Sequence, residues 1–376
     1  MKADASRPRL PGLTSLRFFA ALHVVLFHLY AMNIFAGTGF YHTLAAIGYV
    51  GVSFFFILSG FILVYTYADR GFTVWHFWRA RFARIYPAYL LSLLFTAPTF
   101  IMMCTYLPWF KAHWLLSSTL VLTLLQSWAP QAALAWNSPA WSLSVEAFFY
   151  LLFPLLLARL TRWGSRKVKM MALACLAVTL SLSIAYIIFM PDGVEYVSDE
   201  SNDLMWLNIL RFNPLARLPE FIMGACCGFL FLRTSIPRSW ATPLVAMGAL
   251  TFLAVAMFSP QIPYPLLHNG LLAPAFAAII YGIALRPGWA AFMENRALIL
   301  LGDASYSLYL LHPFVLFAYF GPNGVRHRGV LGRIVGVALP IIASVLVYLG
   351  LEQPARRKLR GKPKPQPALA TAAARA

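Results

Sequence analysis

Apolar runs of about twenty residues alternate along this chain with short polar segments, most of them basic. A run of that length, at about 1.5 Å rise per helical residue, matches the roughly 30 Å hydrocarbon core of a bilayer. The pattern predicts crossings over 13–35, 47–68, 88–107, 142–160, 168–190, 215–232, 241–258, 265–285, 298–320 and 333–351. Arg70, Arg79, Arg81 and Arg84 sit between the second and third runs, and Arg162, Arg166, Lys167 and Lys169 follow the fourth. Arg233 and Arg238 follow the sixth, and Arg286 and Arg296 the eighth. Positive charge of this kind collects on cytoplasmic loops. The loop after the fifth run is acidic, with Asp192, Glu195, Asp199, Glu200 and Asp203, as suits an outer loop. Arg326 and Arg328, after the ninth run, are the one departure in sign. The run 114–128 is apolar but short. If it crossed, the basic cluster at 162–169 would fall outside, so it is expected to lie at the interface or to dip in without crossing. The fold class that results is all-α: a polytopic membrane helical bundle of about ten transmembrane helices, with N- and C-termini cytoplasmic.

Three segments follow: a cytoplasmic N-terminus over 1–12, a membrane domain over 13–351, and a basic tail over 352–376 whose Pro, Ala and Lys content predicts disorder. The basic stretch from Lys2 to Arg9 could introduce a signal peptide, but no small-residue cleavage pattern follows it, so the first run is taken as a membrane helix. No internal repeat is visible, and the inverted repeats of many transporters are therefore missing.

Composition agrees. The 376 residues are 60% hydrophobic and only 11% charged, against about 25% charged in soluble domains. That excludes a disordered chain and argues against a soluble globular one. Lys+Arg outnumber Asp+Glu by 30 to 12, for a formal charge of +18. The surplus is spread over several inner loops, with no soluble basic–aromatic module, so no nucleic acid partner is expected. Cys104, Cys175, Cys226 and Cys227 all lie in apolar runs and are taken as packing residues. No zinc-type cluster is present, and no metal is expected.

Ionisable residues inside such runs are expensive and usually functional. Arg17 and His28 are eleven residues apart in the first run, which puts them on one helical stripe roughly 16 Å apart. His28 lies about 22 Å above Leu13, beyond mid-membrane, with Arg17 near the cytoplasmic end. His23 is on a different face. Two readings stand. Arg17 could reach the headgroups while His28 is a satisfied core residue. Alternatively both look into one cavity, with His28 as a general base or proton shuttle. Arg79, Arg81 and Arg84 occupy the short cytoplasmic loop before the third run, and Arg81 and Arg84 share a helical face. They satisfy the positive-inside rule, and guanidinium groups there also suit a multiply charged phosphate ligand. Trp141, Ser142 and Glu146 mark the outer start of the fourth helix, where the macrodipole alone favours a carboxylate. Arg217 and Glu220 are spaced as an intrahelical ion pair, so a structural role is at least as well supported as a catalytic one. His312, deep in an apolar helix, needs a partner, which a neighbouring hydroxyl could supply.

From Leu10 to Arg357 the chain resembles the integral-membrane acyltransferase 3 family of bacteria and some animals. GLTSLRFFAALHVVLFH is similar to the family's first-helix motif, with Arg17 and His28 in its Arg-x10-His spacing, and GVSFFFILSGF to its second-helix motif. RARFARIYPAY carries the family's Arg-x-x-Arg as Arg81 and Arg84, and WSLSVEAFFYLLFP its Trp-Ser-Leu-x-x-Glu element. RLPEFIMG, SYSLYLLHPF and LEQPARR also correspond, making seven elements in family order. Some members have Asp where Ser53 stands, while others have Ser. The hydrolase-like C-terminal domain of some members is missing, so a standalone membrane enzyme is expected.

The resemblance implies an O-acyltransferase of the bacterial cytoplasmic (inner) membrane. It would move an acyl group, acetyl being expected, from cytoplasmic acyl-CoA (acetyl-CoA) to a hydroxyl of a cell-surface or exported carbohydrate or glycolipid. In that reading Arg81 and Arg84, with Arg17, hold the nucleotide and pyrophosphate. His28 acts as base on the acceptor hydroxyl or carries the acyl group transiently. Glu146, near the outer mouth, orients His28 or binds the sugar, and His312 is a second acid/base candidate. Trp141, Ser142, Arg217 and Glu220 are candidates for the acceptor side. A homo-oligomer is compatible with the sequence. Acceptors from exopolysaccharide to peptidoglycan or a macrolide remain open. The rival from another class is a transporter or flippase that uses the same buried charges as a pathway. The missing repeats and the seven ordered motifs stand against it.

Overall fold

Without water to receive them, backbone polar groups in a bilayer must close on one another, and helices do this within each run. The structure, a computed structural model, describes residues 7–34, 39–198, 200–321, 324, 326 and 329–360. Lys2, Phe35, Asp199, Arg328, Lys362 and Lys364 lie outside the described residues. Among the described residues every regular element is helical, and ten helices are long and apolar enough to cross a membrane. They are α1 (Pro11–Ala31), α2 (Gly51–Tyr67), α3 (Val74–Tyr106), α4 (Trp141–Leu160), α5 (Ser165–Phe189), α6 (Pro214–Arg233), α7 (Ala241–Met257), α8 (Ala273–Ala284), α9 (Arg296–Phe320) and α10 (Val330–Val347). Short helices Met205–Phe212 and Tyr264–His268 lead into α6 and α8 and lengthen those two spans.

An even number of crossings returns the chain to the side on which α1 begins, and the contacts agree. Arg7, just before α1, pairs with Asp69 just after α2 at 2.9 Å. Arg233 at the end of α6 pairs with the same Asp69 at 2.5 Å. Arg79 near the start of α3 donates to Leu359 O, beyond α10, at 2.7 Å.

Small residues set the closest helix approaches. A Cβ added to Gly224 of α6 would lie 2.0 Å from Ile57 O of α2, and one on Gly60 of α2 would lie 2.2 Å from Phe221 O of α6. Between α1 and α9 the contact is Gly302, where an added Cβ would lie 2.0 Å from Thr14 O. Gly302 faces Thr14 and His312 faces His28, so α1 and α9 run parallel.

Three stretches differ from the pattern-based expectation. Arg79, Arg81 and Arg84 are not in a loop. They lie on the first turns of α3, which has 33 residues and continues through Pro87 and Pro98. A membrane helix tolerates such prolines because neighbouring groups satisfy the freed carbonyls. The eighth crossing is broken between His268 and Ala273, with Gly270 at φ +79°. Glu352 ends a π-helical segment (Tyr348–Glu352), and Gln353–Arg360 is a helix packed on α3, where composition predicts an unstructured tail. The 114–128 run forms an α-helix over Trp114–Leu122 and a single 3-10 turn over Gln126–Trp128. At nine residues it spans about 14 Å and is too short to cross.

Candidate active site

α1, α2, α3, α4 and α9 surround one cavity of about 220 Å³. Arg17 enters from α1, Ser59 from α2, Arg81 and Arg84 from α3, Glu146 and Tyr150 from α4, and Tyr306 and Tyr309 from α9. Apolar side chains including Val52, Phe55 and Phe56 complete the wall. The structure therefore gathers Arg17 of the first-helix motif with Arg81 and Arg84 of the third-helix motif.

Among the described residues, the side chains of Arg17, Arg81 and Arg84 form no ion pair or hydrogen bond. Arg81 stands over the rings of Phe77, Tyr150 and Tyr67 at 5.7, 5.8 and 6.0 Å, and its buried Nε has no acceptor. Buried donors without partners are uncommon, and one in a cavity wall marks a place for an acceptor. Glu146 is the carboxylate of the same cavity. Its Oε1 accepts from Tyr150 Oη at 2.5 Å and from Ser59 Oγ at 3.2 Å. These contacts place Glu146 beside the arginines. The expected contact with His28 is absent among the described residues: Glu146 is held by Ser59 of α2 and by Tyr150, whose ring lies against Phe77 and Arg81 of α3. Glu352 adds a second buried carboxylate, held by Ser307 Oγ at 2.9 Å and near enough for its charge to act on Arg84 and Arg17.

His28 and His312 form a pair of their own. His312 Nε2 is 3.1 Å from His28 Nδ1, with ring centroids 4.6 Å apart. His28 Nδ1 also lies 2.9 Å from Val24 O, and His312 Nδ1 lies 3.1 Å from Leu308 O. The partner of His312 is thus an imidazole and a backbone carbonyl, with no side-chain hydroxyl among them. Of Arg17 and His28, only Arg17 lines the cavity, while His28 meets α9 through His312. Tyr309 connects the two places. It lines the cavity, and its ring centroid is 6.2 Å from that of His312.

Ser142 lines the cavity, whereas Trp141 packs behind it against Phe56 and Phe212. Arg217 and Glu220 form the expected ion pair, at 2.8 Å and almost fully enclosed. They lie outside the cavity. Arg217 donates to Ser53 Oγ at 2.8 Å, to His268 O at 2.7 Å and to Asn269 Oδ1, so its guanidinium serves the break before α8. Tyr150, Tyr309 and Glu352 have no role assigned from sequence. Tyr150 was detectable as the i+4 neighbour of Glu146, and Glu352 as a carboxylate ending an apolar run. Tyr309 carries no such signal. Among the described residues no group of three His, Cys, Asp or Glu could hold a metal ion.

A family model described as an acyltransferase domain matches residues 10–349. The chain is 32% identical to acyltransferase MdmB of Streptomyces mycarofaciens, over 95% of this chain and 94% of that protein. It is 25% identical to O-acetyltransferase OatA of Staphylococcus aureus, over 93% of this chain but only 57% of that protein. No solved structure matches it. With the matched segment covering all but the last turns of the helical bundle and the whole arginine cavity, the chain belongs to this acyltransferase family and is a multi-pass membrane acyltransferase.

Proposed function

We propose that this protein moves an acyl group, acetyl foremost, from acyl-CoA to a hydroxyl of a carbohydrate or glycolipid at the bacterial cytoplasmic membrane. The arginine end of the bundle faces the cytoplasm in this reading. The observation that carries it is the trio Arg17, Arg81 and Arg84, three guanidinium groups that line one cavity and form no ion pair among the described residues. Guanidinium groups bind phosphate oxygens in charge-assisted, often bidentate pairs, and CoA offers a pyrophosphate and a ribose phosphate. The names of the two relatives support acyl and acetyl transfer.

The apolar wall beyond the arginines suits the pantetheine arm, which would pass Phe55 and Tyr309 to bring the thioester toward His28. An alcohol attacks a thioester poorly while it keeps its proton, and His28 is the base that removes it. The C–O bond forms as the C–S bond breaks. CoA leaves as the thiolate and takes the proton from His28 as it becomes the thiol.

The test uses purified full-length protein in lipid nanodiscs, with radiolabelled acetyl-CoA and a panel of methyl glycosides. His28→Ala should lower label transfer by about 100- to 10,000-fold, the usual contribution of a general base, with the thermal melt unchanged. Transfer at the normal rate would remove His28 from the chemistry. Import of glycoside into vesicles with no label ever attached would favour a transporter instead.

A further inference from the structure

The hydrogen bonds around the two histidines admit one neutral arrangement. A backbone carbonyl can only accept, so Leu308 O at 3.1 Å requires a proton on His312 Nδ1. In a neutral imidazole the other nitrogen is then a bare acceptor, and His312 Nε2 must receive rather than give. It faces His28 Nδ1 at 3.1 Å, which must therefore carry a proton. Val24 O, 2.9 Å from the same His28 Nδ1, makes the same demand independently. The reverse arrangement would set the Nδ1 lone pair of His28 against the carbonyl oxygen of Val24. His28 Nε2 is left without a proton, and among the described residues nothing bonds to it.

We propose that His312 is a positioning residue, which accepts the Nδ1–H of His28 together with Val24 O and so presents His28 Nε2 as the nitrogen that takes the acceptor's proton. The inference rests on the reading of His28 as the base. When Nε2 receives the hydroxyl proton, the imidazolium charge is shared with two acceptors already aimed at Nδ1–H. A carboxylate does this in many hydrolytic triads. In an apolar helix pair an imidazole does it without burying a permanent charge. His312 is completely buried, meets α1 through His28 and does not line the cavity. It reaches the chemistry through His28.

Two measurements on the full-length protein in nanodiscs test this. The first uses no acyl donor. Diethyl pyrocarbonate labels bare imidazole nitrogens, and the rate at the His28 peptide is read by mass spectrometry. His312→Leu should slow that rate by about tenfold, whereas His312→Gln, whose amide oxygen can accept at the position of Nε2, should keep it within about twofold. Equal loss in both variants, or no loss in His312→Leu, overturns the proposal. The second measurement is turnover with acetyl-CoA and a methyl glycoside. His312→Leu should lower kcat by about tenfold or more and leave the acetyl-CoA KM within about twofold, with His312→Gln recovering most of kcat. The double variant His28→Ala/His312→Leu should be no slower than His28→Ala alone, since groups that act as one unit are not additive. A further drop in the double variant would make His312 an acid or base in its own right and overturn the positioning role. Full activity in His28→Ala would instead sink the choice of base, and the labelling rates would still decide the pairing.

Discussion

Ser142 Oγ donates to the hydroxyl of Tyr309 at 2.8 Å, and that hydroxyl donates to Pro139 O at 2.9 Å. The bonds tie α9 to the start of α4 and hold the Tyr309 ring at the end of the arginine cavity, 6.1 Å from Phe55 and 6.2 Å from the ring of His312. In the proposed reaction, an acyl group passing from the arginines to His28 would meet this ring. Tyr309→Ala should therefore raise turnover with butyryl-CoA relative to acetyl-CoA by about tenfold, on the scale of about 1–3 kcal/mol per methylene in an apolar pocket. The ratio of the two donors is the quantity to measure, because it does not depend on how much variant protein folds. An unchanged ratio would mean that the ring does not bound the acyl path.

Arg84→Ala and Arg81→Ala should each raise the KM for acetyl-CoA by about 10- to 100-fold, since a hydrogen bond to a charged group contributes about 1.5–3 kcal/mol. Lysine at either position should recover only part, as it keeps the charge and loses the fork. Isothermal titration with CoA checks this without turnover. Tight CoA binding in an Arg81→Ala/Arg84→Ala double variant would place the nucleotide elsewhere.

Arg217→Met leaves the Glu220 carboxyl enclosed without its counter-charge, and removes the donor to His268 O in the break before α8. Breaking a buried pair from one side costs about 3–5 kcal/mol. The melting temperature in detergent should fall steeply, and Arg217→Met/Glu220→Leu should be more stable than Arg217→Met alone. Equal melts for the single and double variants would show that the buried carboxylate is not what destabilises the single one.

Gly302→Ala places a Cβ against Thr14 O and must push α9 from α1, whereas Gly288→Ala meets open space. Overpacking of this kind costs about 1–3 kcal/mol. Gly302→Ala should lower both the melting temperature and acyl transfer, because the His28–His312 contact depends on the same helix pair. Gly288→Ala should match the parent protein in both. If Gly302→Ala behaved like Gly288→Ala, the close approach of α1 and α9 would be in doubt.

The ten helices were legible from the apolar runs alone, since hydrocarbon thickness and helical rise together leave little freedom in length or class. So was the ion pair of Arg217 and Glu220, because a helix relates residues one turn apart by a fixed angle. Contacts between helices are a different matter, because lipid and protein interiors are alike in apolarity, and what turns one helix toward another is packing at a few small residues. Gly302 brings His312 to His28, though 284 residues separate them in the chain. The turn of α4 that carries Glu146 and Tyr150 puts that carboxylate with Arg81 and Arg84, although its place in the sequence suggested the opposite mouth. The sequence by itself determined the helical class, the number of long apolar helices and the relations of residues within one helix. Only the tertiary structure decided which of them meet, because contact between membrane helices depends on the rotation of each helix about its axis, and no single run specifies that.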